Sequence, residues 1–398
     1  MPKQNLTIDE VLTRGVTEIL PARKSLQELM NQKKIRLYLG IDPTGSELTL
    51  GHSVVLRKIQ QFADLGHEVI LLIGNGTVKI GDPTGKDTTR PELTNDEIEA
   101  NFKNWREQAN KVLDFDKIKV VRNGDWLDKL TYVELIKIMG KVTVQQLMER
   151  DMFQERLKKG LPIHAHEIIY PLMQGYDSVV MDVDLEIGGN DQTFNMMMGR
   201  TLQKAYNNRE KWVLTTPIID GTDGRKMSKS YGNFVALTEN PIDMYGKLMR
   251  INDDMIINYF TVLTDTSMAE IAEMDKDMTS GENPMTFKKK LAFTITEMYH
   301  SEAEAKKAER QFQTVIQEKG LPDKTPIHLI AASSTTVLSL TSGARKELSS
   351  SDVRRRIEQG AVSLDGKKHT DPHQEITPKS GSILKTGKRN FHEIKVEE

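Results

Sequence analysis

IRLYLGIDPTGSELTLGHSVVLRKIQQFADLGHEVILLIG, residues 35–74, is the stretch on which the fold turns. Its first seven residues, Ile35 to Ile41, are β-rich and apolar at both parities, as expected of a strand buried on two faces. A turn-rich loop, DPTGSELTLGH, follows. From Ser53 to Leu65, the residues Val55, Ile59, Phe62 and Leu65 recur at helical spacing, and Gly66 stops the run. Glu68 to Gly74 then reads as a second buried strand. Strand, loop, helix and strand in this order make a βαβ unit, which predicts a parallel sheet. Ligands on such sheets sit at the carboxyl ends of the strands, where the loops starting at Asp42 and Gly74 would lie.

Further along, Thr94 and Glu97 form a capping box that opens a helix running toward Leu113, and Lys117 to Asn123 reads as another strand. Residues 127–163 read as mostly helical and interrupt the strand pattern. SVVMDVDLEIGGNDQ restores a strand, followed by a turn and a helix beginning near Asp191. From Pro241 to about Lys319 the chain reads as helix after helix, and LPDKTP (321–326) reads as a linker. SSSDVRRRIEQGAVSLDGKK then gives a helix, a glycine stop and a strand with a glycine turn.

The chain has 398 residues, enough for two or three domains with real cores. It has no cysteine, which removes disulfides and thiolate metal sites and fits a reducing cytosol. No apolar run reaches membrane-spanning length, and the first residues have no secretory pattern, so a cytoplasmic location is expected. Net charge is −2, which argues against nucleic-acid binding by bulk charge. Residues 331–398 nevertheless hold twelve Lys/Arg against nine Asp/Glu.

Several stretches carry polar chemistry. DPTGSELTLGH joins a buried strand to a helix start, whose free N–H groups and partial positive charge suit a phosphate; an ordinary βα loop would look the same. GDPTGKDTTR (81–90) is a second turn-rich loop, with Lys86 and Arg90 as anion contacts or as plain surface charge. IGGNDQ (187–192) is either a plain strand-to-helix turn or a ligand contact, in which the glycines allow close backbone approach and Asp191 would accept both ribose hydroxyl hydrogens. YPLMQGYDS aligns Tyr170, Gln174 and Asp177 on one helical face, among Leu172, Met173 and Tyr176, as either a polar ligand contact or a solvated face. His164 and His166 lack acidic partners at metal spacing and are read as ordinary surface or interdomain residues. GRKMSKSYGN (224–233) delivers Lys226 and Lys229 on one polar loop.

Taken in order, these stretches resemble the class I aminoacyl-tRNA synthetases, and within them the bacterial tyrosyl-tRNA synthetases, over nearly the whole chain. TLGH (49–52) stands where the family's HIGH signature falls, and KMSKS (226–230) is the second signature, intact. The resemblance implies a Rossmann-type α/β catalytic domain with a parallel sheet over residues 1–225, carrying a helical insertion at about 127–163 that commonly forms a homodimer interface. It implies the KMSKS loop and an α-helical anticodon-binding domain over 226–322. A small α+β RNA-binding domain like that of ribosomal protein S-four would cover 331–398, with Arg354, Arg355, Arg356, Lys385, Lys388 and Arg389 meeting tRNA.

Its implied substrates are L-tyrosine, ATP with magnesium as co-substrate, and tRNA(Tyr), with no resident metal. Lys226 and Lys229 would hold the departing pyrophosphate, with Lys86 and Arg90 closing from the other loop and Thr44 and His52 contacting phosphate. Gly51, Gly189, Asp191, Met227 and Ser228 complete the ATP site. Tyr38 and Asp177 would take the phenol hydroxyl, Asp82, Tyr170 and Gln174 the α-ammonium, and Gln192 would lie near the carboxylate.

The chain departs from the family pattern in three places. Thr49 replaces the first histidine of HIGH, Val78 and Lys79 replace a glycine and an apolar residue, and Asn190 stands where Ser or Thr is usual. Threonine cannot carry charge, so Lys79, the two KMSKS lysines and Thr44 are the candidates to compensate near the phosphates. A tryptophanyl synthetase is the nearest rival, since it shares both signatures, but an indole offers only a donor to Tyr38 and Asp177. A non-catalytic RNA-binding descendant would have no need for intact Lys226, Lys229, Asp82, Asp177 and Asp191.

Overall fold

The computed structural model describes residues 6–84, 93–314, 325–330, 334–387 and 390–396, so Lys86, Arg90, Lys388 and Arg389 lie outside the described residues. The chain divides into two compact units, Met1–Ala305 and Lys306–Glu398.

A six-stranded sheet organises the first unit, with strands β1 (Glu18–Leu20), β2 (Arg36–Ile41), β3 (Glu68–Ile73), β4 (Ile118–Arg122), β5 (Leu185–Gly189) and β6 (Trp212–Thr216). Their spatial order is β1-β6-β5-β2-β3-β4. β2 to β6 are parallel, and only β1 runs antiparallel, on the edge beside β6. The apolar runs at both parities follow from burial on both faces: Val69 to Ile73 of β3 are all buried. From β2 the connections run one way to β3 and β4, and the other half of the sheet, β5 and β6, lies on the opposite side. That reversal leaves a crevice at the carboxyl ends of β2 and β5.

The helix between β2 and β3 is Leu50–Asp64, three residues longer at its start than the apolar spacing predicts. Thr49, extended at φ −117° and ψ 170°, caps it, and its N–H donates to His52 Nδ1 at 3.1 Å. Leu50, Gly51 and His52 therefore form the first turn instead of ending a loop. Its buried face is Leu50, Val54, Leu56, Ile59 and Phe62, while Val55 turns to the crevice. Lys58 is also buried, its ammonium donating to Val11 O, Arg14 O and Gln61 Oε1 at 2.7–2.8 Å.

Between β4 and β5 come five helices: Gly124–Leu127, Tyr132–Met139, Val144–Met148, Asp151–Lys158 and Ala165–Met181. Capping boxes at Thr131/Glu134 and Thr143/Gln146 start two of them, just as Thr94/Glu97 starts the Asn95–Ala109 helix. The strand expected across SVVMDVDLEIGG begins only at Leu185. Ser178 to Met181 finish the preceding helix, which Asp182 ends in the left-handed region at φ 49°. This long helix crosses Thr193–Asn207 closely, since a Cβ on Gly175 would lie 3.0 Å from the Gly199 nitrogen. Leu172 and Met173 turn away from the crevice into a cluster with Ile138, Leu147, Met198 and Leu202. From Pro241 to Phe312 the described chain is helical, with Asn240, Ser267 and Asn283 as side-chain caps.

In the second unit, five strands pair in the order Lys367–His369, Val362–Leu364, Ile383–Thr386, Phe391–Val396 and Ile327–Ile330. The helices Val337–Ala344 and Ser350–Glu358 close a core of Val337, Leu340, Val353, Ile357, Leu384 and Ile394. Asp365 and Gly366, both at positive φ, make the tight hairpin turn. Arg354 and Arg355 are exposed on the helix face opposite Val353 and Ile357, with Arg355 paired to Asp352 at 2.7 Å. Arg356 is half-buried, and Lys385 lies over the Phe391 ring at 4.9 Å.

One charge pair fastens the helices between β4 and β5 to the long helix. Arg156 and Glu167, each 2% exposed, meet at 2.6 Å and 3.0 Å through two guanidinium nitrogens. Glu167→Ala would strand a buried guanidinium, and we expect it to cost about 3–5 kcal/mol of unfolding free energy. Urea unfolding measures this, and a loss under about 1 kcal/mol would show the pair to be dispensable.

Candidate active site

The crevice between β2 and β5 is a cleft of about 240 Å³. Each candidate side chain arrives from a strand end or a helix face. Tyr38 and Asp42 come from β2 and its end, Glu186 and Gly189 from β5, and Tyr170, Gln174 and Asp177 from the long helix. The alignment of those last three at i, i+4 and i+7 is thus a cleft-facing stripe and not a solvated one.

At the deep end lie Tyr38 and Asp177, 0% and 1% exposed. Asp177 Oδ2 accepts from Asn123 Nδ2 at 3.0 Å, and Oδ1 accepts from Trp126 Nε1 at 2.8 Å. Burial pushes its carboxyl well above the usual carboxylate range, against the pull of those two donors. The Tyr38 hydroxyl lies 2.9 Å from Ser178 Oγ, and burial, with Glu186 and Asp177 nearby, raises the phenol well above its ordinary value. Gln174 Nε2 donates to Glu186 Oε1 at 3.0 Å, and the other Glu186 oxygen pairs with the buried Lys211 ammonium.

Nearer the mouth, Tyr170 donates to Asp42 Oδ2 at 2.8 Å, and Asp42 Oδ1 accepts from Thr77 at 2.7 Å. Asp82 accepts from Gln192 Nε2 at 2.9 Å and from Thr84, with the buried Arg150 guanidinium 3.6 Å away. All six residues expected to hold an amino acid, Tyr38, Asp82, Tyr170, Gln174, Asp177 and Gln192, border this one cleft. Asp42, Thr77, Asn123, Trp126, Glu186 and Lys211 were missed. Asp42 and Asn123 directly follow strands, and that position was the signal available for them.

The two signature stretches meet at the other side. Leu50 N donates to Val235 O at 2.9 Å and Met227 N donates to Ile219 O at 3.0 Å, and the Met227 and Ile219 side chains both lie over Gly51 in the first turn of the Leu50–Asp64 helix. A Cβ on Gly51 would lie 3.6 Å from Met227 Sδ, an ordinary van der Waals distance, so the KMSKS loop lies in direct contact with this turn. Buried Asn233 staples the loop, accepting from Ser228 N at 2.8 Å and donating to Asp223 Oδ1 at 2.7 Å and to Lys226 O at 3.1 Å. Lys226 reaches Asp191 at 3.2 Å, and Lys229 reaches Glu47 O at 2.5 Å. The two cations therefore stand against loops on opposite sides of the cleft, whose wall there includes Thr44, His52 and Gly189.

Lys79 does not fill the place expected of it. It points to Asp128, pairing at 2.6 Å, because the 3₁₀ turn Thr77–Lys79 buries Thr77 and Val78 and sends the lysine outward. Thr49 is buried, and its hydroxyl lies 2.9 Å from His52 Nδ1. A backbone N–H can only donate, so Nδ1 is an acceptor and the ring hydrogen sits on Nε2. Among the described residues, no group of three or more His, Asp or Glu side chains converges as a metal site.

Residues 30–317 match the family model described as tRNA synthetases class I (W and Y). The tyrosine–tRNA ligase of Thermotoga maritima is 42% identical over 388 residues, covering 97% of this chain and 96% of the relative. That of Carboxydothermus hydrogenoformans is 44% identical over 97% of each chain. A C-terminally truncated mitochondrial tyrosyl-tRNA synthetase of Aspergillus nidulans shares the fold at 20% identity, with a TM-score of 0.66 over 79% of this chain and 95% of that one. The chain belongs to the class I tRNA synthetases, in the tyrosine–tRNA ligase family.

Burial, with Lys229 nearby, pulls the His52 imidazole down from 6.5 to about 4. The unfolded chain takes up this proton below pH 6.5 while the folded ring stays neutral. The stability tied to the neutral ring is therefore complete above pH 6.5 and lost as pH falls through about 4. Ring nitrogen resonances should show a neutral, Nε2-protonated His52 from pH 8 down to about 5. A midpoint near 6.5 would contradict the geometry at Thr49.

Proposed function

We propose that this chain activates L-tyrosine with ATP and transfers it to the 3′ end of tRNA(Tyr). The observation that carries this is the buried polar end of the cleft, where Tyr38 and Asp177 face one another's neighbourhood among apolar walls. A phenol hydroxyl both donates and accepts, and this end presents a hydroxyl and a carboxylate. An indole N–H would engage the carboxylate alone. Asp82, Tyr170 and Gln174 then surround the α-ammonium, and Gln192 lies beside Asp82, where it reaches the carboxylate.

In the first step, a tyrosine carboxylate oxygen attacks the α-phosphorus, the bond to the β-phosphate oxygen breaks, and pyrophosphate leaves. Substrate supplies the nucleophile, so the protein acts by positioning and charge. Lys226 and Lys229 stabilise the charge that develops on pyrophosphate, with Lys86 and Arg90 as partners from the other loop. Thr44 and the His52 Nε2–H donate to phosphate oxygens, Asp191 and Gly189 hold the ribose, and Gly51, Met227 and Ser228 frame the nucleotide. Magnesium arrives on the triphosphate and supplies charge to it. In the second step the terminal tRNA hydroxyl attacks the activated carbonyl and AMP leaves.

The assembly reading is a homodimer. Tyr132, Ile136 and Met139 lie on one face of the Tyr132–Met139 helix and are 77%, 47% and 39% exposed, an apolar surface that a second copy would cover. For tRNA, we assign the helices from Pro241 onward to the anticodon region. Arg354, Arg355, Arg356, Lys385, Lys388 and Arg389 of the basic tail would lie along its phosphates. No helix among the described residues is long and apolar enough to cross a membrane, and we place the chain in the cytoplasm.

Amino-acid-dependent ATP–pyrophosphate exchange tests the activity. Tyrosine should drive it, and equal exchange with tryptophan would refute the assignment. Phenylalanine leaves buried groups unpaired, at about 1–3 kcal/mol each, so Asp177→Ala should cut the tyrosine-to-phenylalanine preference by at least about tenfold.

Lys226→Ala should slow single-turnover adenylate formation by about 10²–10³ while tyrosine affinity stays within about twofold. Rapid-quench kinetics with equilibrium tyrosine binding separates the two. Collapsed binding with an intact chemical step would make the lysine a scaffold residue.

A further inference from the structure

Beneath the deep end of the cleft lies a second layer that does not border it. Lys211 is fully buried at the end of the chain segment leading into β6, and its ammonium has three acceptors: a Glu186 carboxylate oxygen, Ser178 Oγ at 2.8 Å and Met196 O at 3.1 Å. Room for it is cut out of the neighbouring helix. A Cβ on Gly199 would sit 2.6 Å from Ser178 Oγ and closer still to the Lys211 nitrogen. Neither Lys211 nor Ser178 lines the cleft, whereas Tyr38 and Glu186, which they touch, both do.

We propose that Lys211 is a specificity-determining positioning residue, which sets, through Ser178 and Glu186, the direction in which the Tyr38 hydroxyl donates. This rests on the tyrosine reading of the cleft. An ammonium only donates, so the Ser178 oxygen accepts from Lys211. Ser178 is itself 0% exposed, and its own hydrogen has the Tyr38 oxygen, 2.9 Å away, as acceptor. Were Tyr38 to donate to Ser178 instead, the serine hydrogen would be buried without a partner, which folded proteins avoid. Tyr38 therefore accepts from Ser178, and its single hydrogen is left for another acceptor.

Two candidates compete for that hydrogen: the Glu186 carboxylate, set beside Tyr38 by strand pairing, and the hydroxyl oxygen of the amino acid. Glu186 keeps lone pairs within reach of Tyr38, but Lys211 on one oxygen and Gln174 Nε2 on the other, at 3.0 Å, draw down its negative charge and weaken it as an acceptor, so a tyrosine hydroxyl oxygen in the cleft takes the Tyr38 hydrogen in its place. The same logic turns the Gln174 carbonyl away from Glu186 as an acceptor for the ammonium. The lysine thus polarises the pocket so that a ligand oxygen meets a donor at Tyr38 and an acceptor at Asp177. Phenylalanine meets the same two groups and satisfies neither.

The test is ATP–pyrophosphate exchange with tyrosine and with phenylalanine on Lys211→Met, on Lys211→Met/Glu186→Gln, and on Ser178→Ala. The double variant removes both charges, so it keeps the test alive where the single one fails to fold. We expect the ratio of kcat/KM for tyrosine over phenylalanine to fall by at least about tenfold in each, through KM for tyrosine. Adding Lys211→Met to Ser178→Ala should lower the ratio no further, since both cut one relay. An ion pair that merely holds the fold together would depress both amino acids alike, and an unchanged ratio, or fully additive losses, overturns the inference. Unaltered protein that gives no tyrosine exchange would bring down the substrate reading and this inference with it. A discriminating parent with unchanged variants brings down this inference alone.

Discussion

β2 and β5 pair over two residues, Leu37 with Leu185 and Tyr38 with Glu186, before their carboxyl ends part. Much of the site follows from that short contact. Parallel strands whose connections leave in opposite directions cannot be covered by one crossover helix, so a crevice opens where the pairing stops. The last shared rung sets a phenol beside a carboxylate at its floor. That carboxylate is tolerable only with a cation beside it, because an unpaired buried charge costs several kcal/mol. Lys211 from the β6 side supplies the cation, and Gly199 supplies the space. The floor is consequently polar, dry and fixed in its hydrogen-bond directions.

The mouth works by different physics. Lys226 and Lys229 are exposed, held by a loop whose shape depends on Asn233, and they bear on the Asp191 and Glu47 loops by single contacts. Long solvated side chains of this kind contribute little to stability, and their charge is available to a phosphate. On the proposed reading, recognition of the amino acid falls to buried, preorganised groups and stabilisation of a developing charge to solvated ones. Between them, the first turn of the Leu50–Asp64 helix is tied to both. Thr49 holds the His52 ring, while Met227 lies against Gly51.

The helical insertion has its own economy of design. Its helices start on short-range caps at Thr131 and Thr143, yet they are fastened to the long Ala165–Met181 helix through the buried Arg156–Glu167 pair and the cluster around Leu172. The outward face keeps Tyr132, Ile136 and Met139 in solvent, an apolar surface left uncovered in a single copy.

Read by itself, the chain determined the βαβ unit, the strand pair Ile35–Ile41 and Glu68–Gly74, the capping box at Thr94, and the stripe of Tyr170, Gln174 and Asp177. These depend on periods of two and 3.6 and on local hydrogen bonds, which neighbouring residues settle among themselves. Both signatures were legible too, because catalytic loops need particular residue types at close spacing. Tertiary structure alone decided that Lys79 turns to Asp128, and that Lys58 and Lys211 are buried with their hydrogen bonds satisfied. It alone brought Asn123, Trp126, Ser178, Glu186 and Lys211 to the phenol end of the cleft. Each of those outcomes depends on a partner between 25 and 54 residues away, or on the room left by a glycine on another helix. No periodicity records such a meeting, because a buried polar group is made stable by whatever faces it in space and not by its neighbours along the chain.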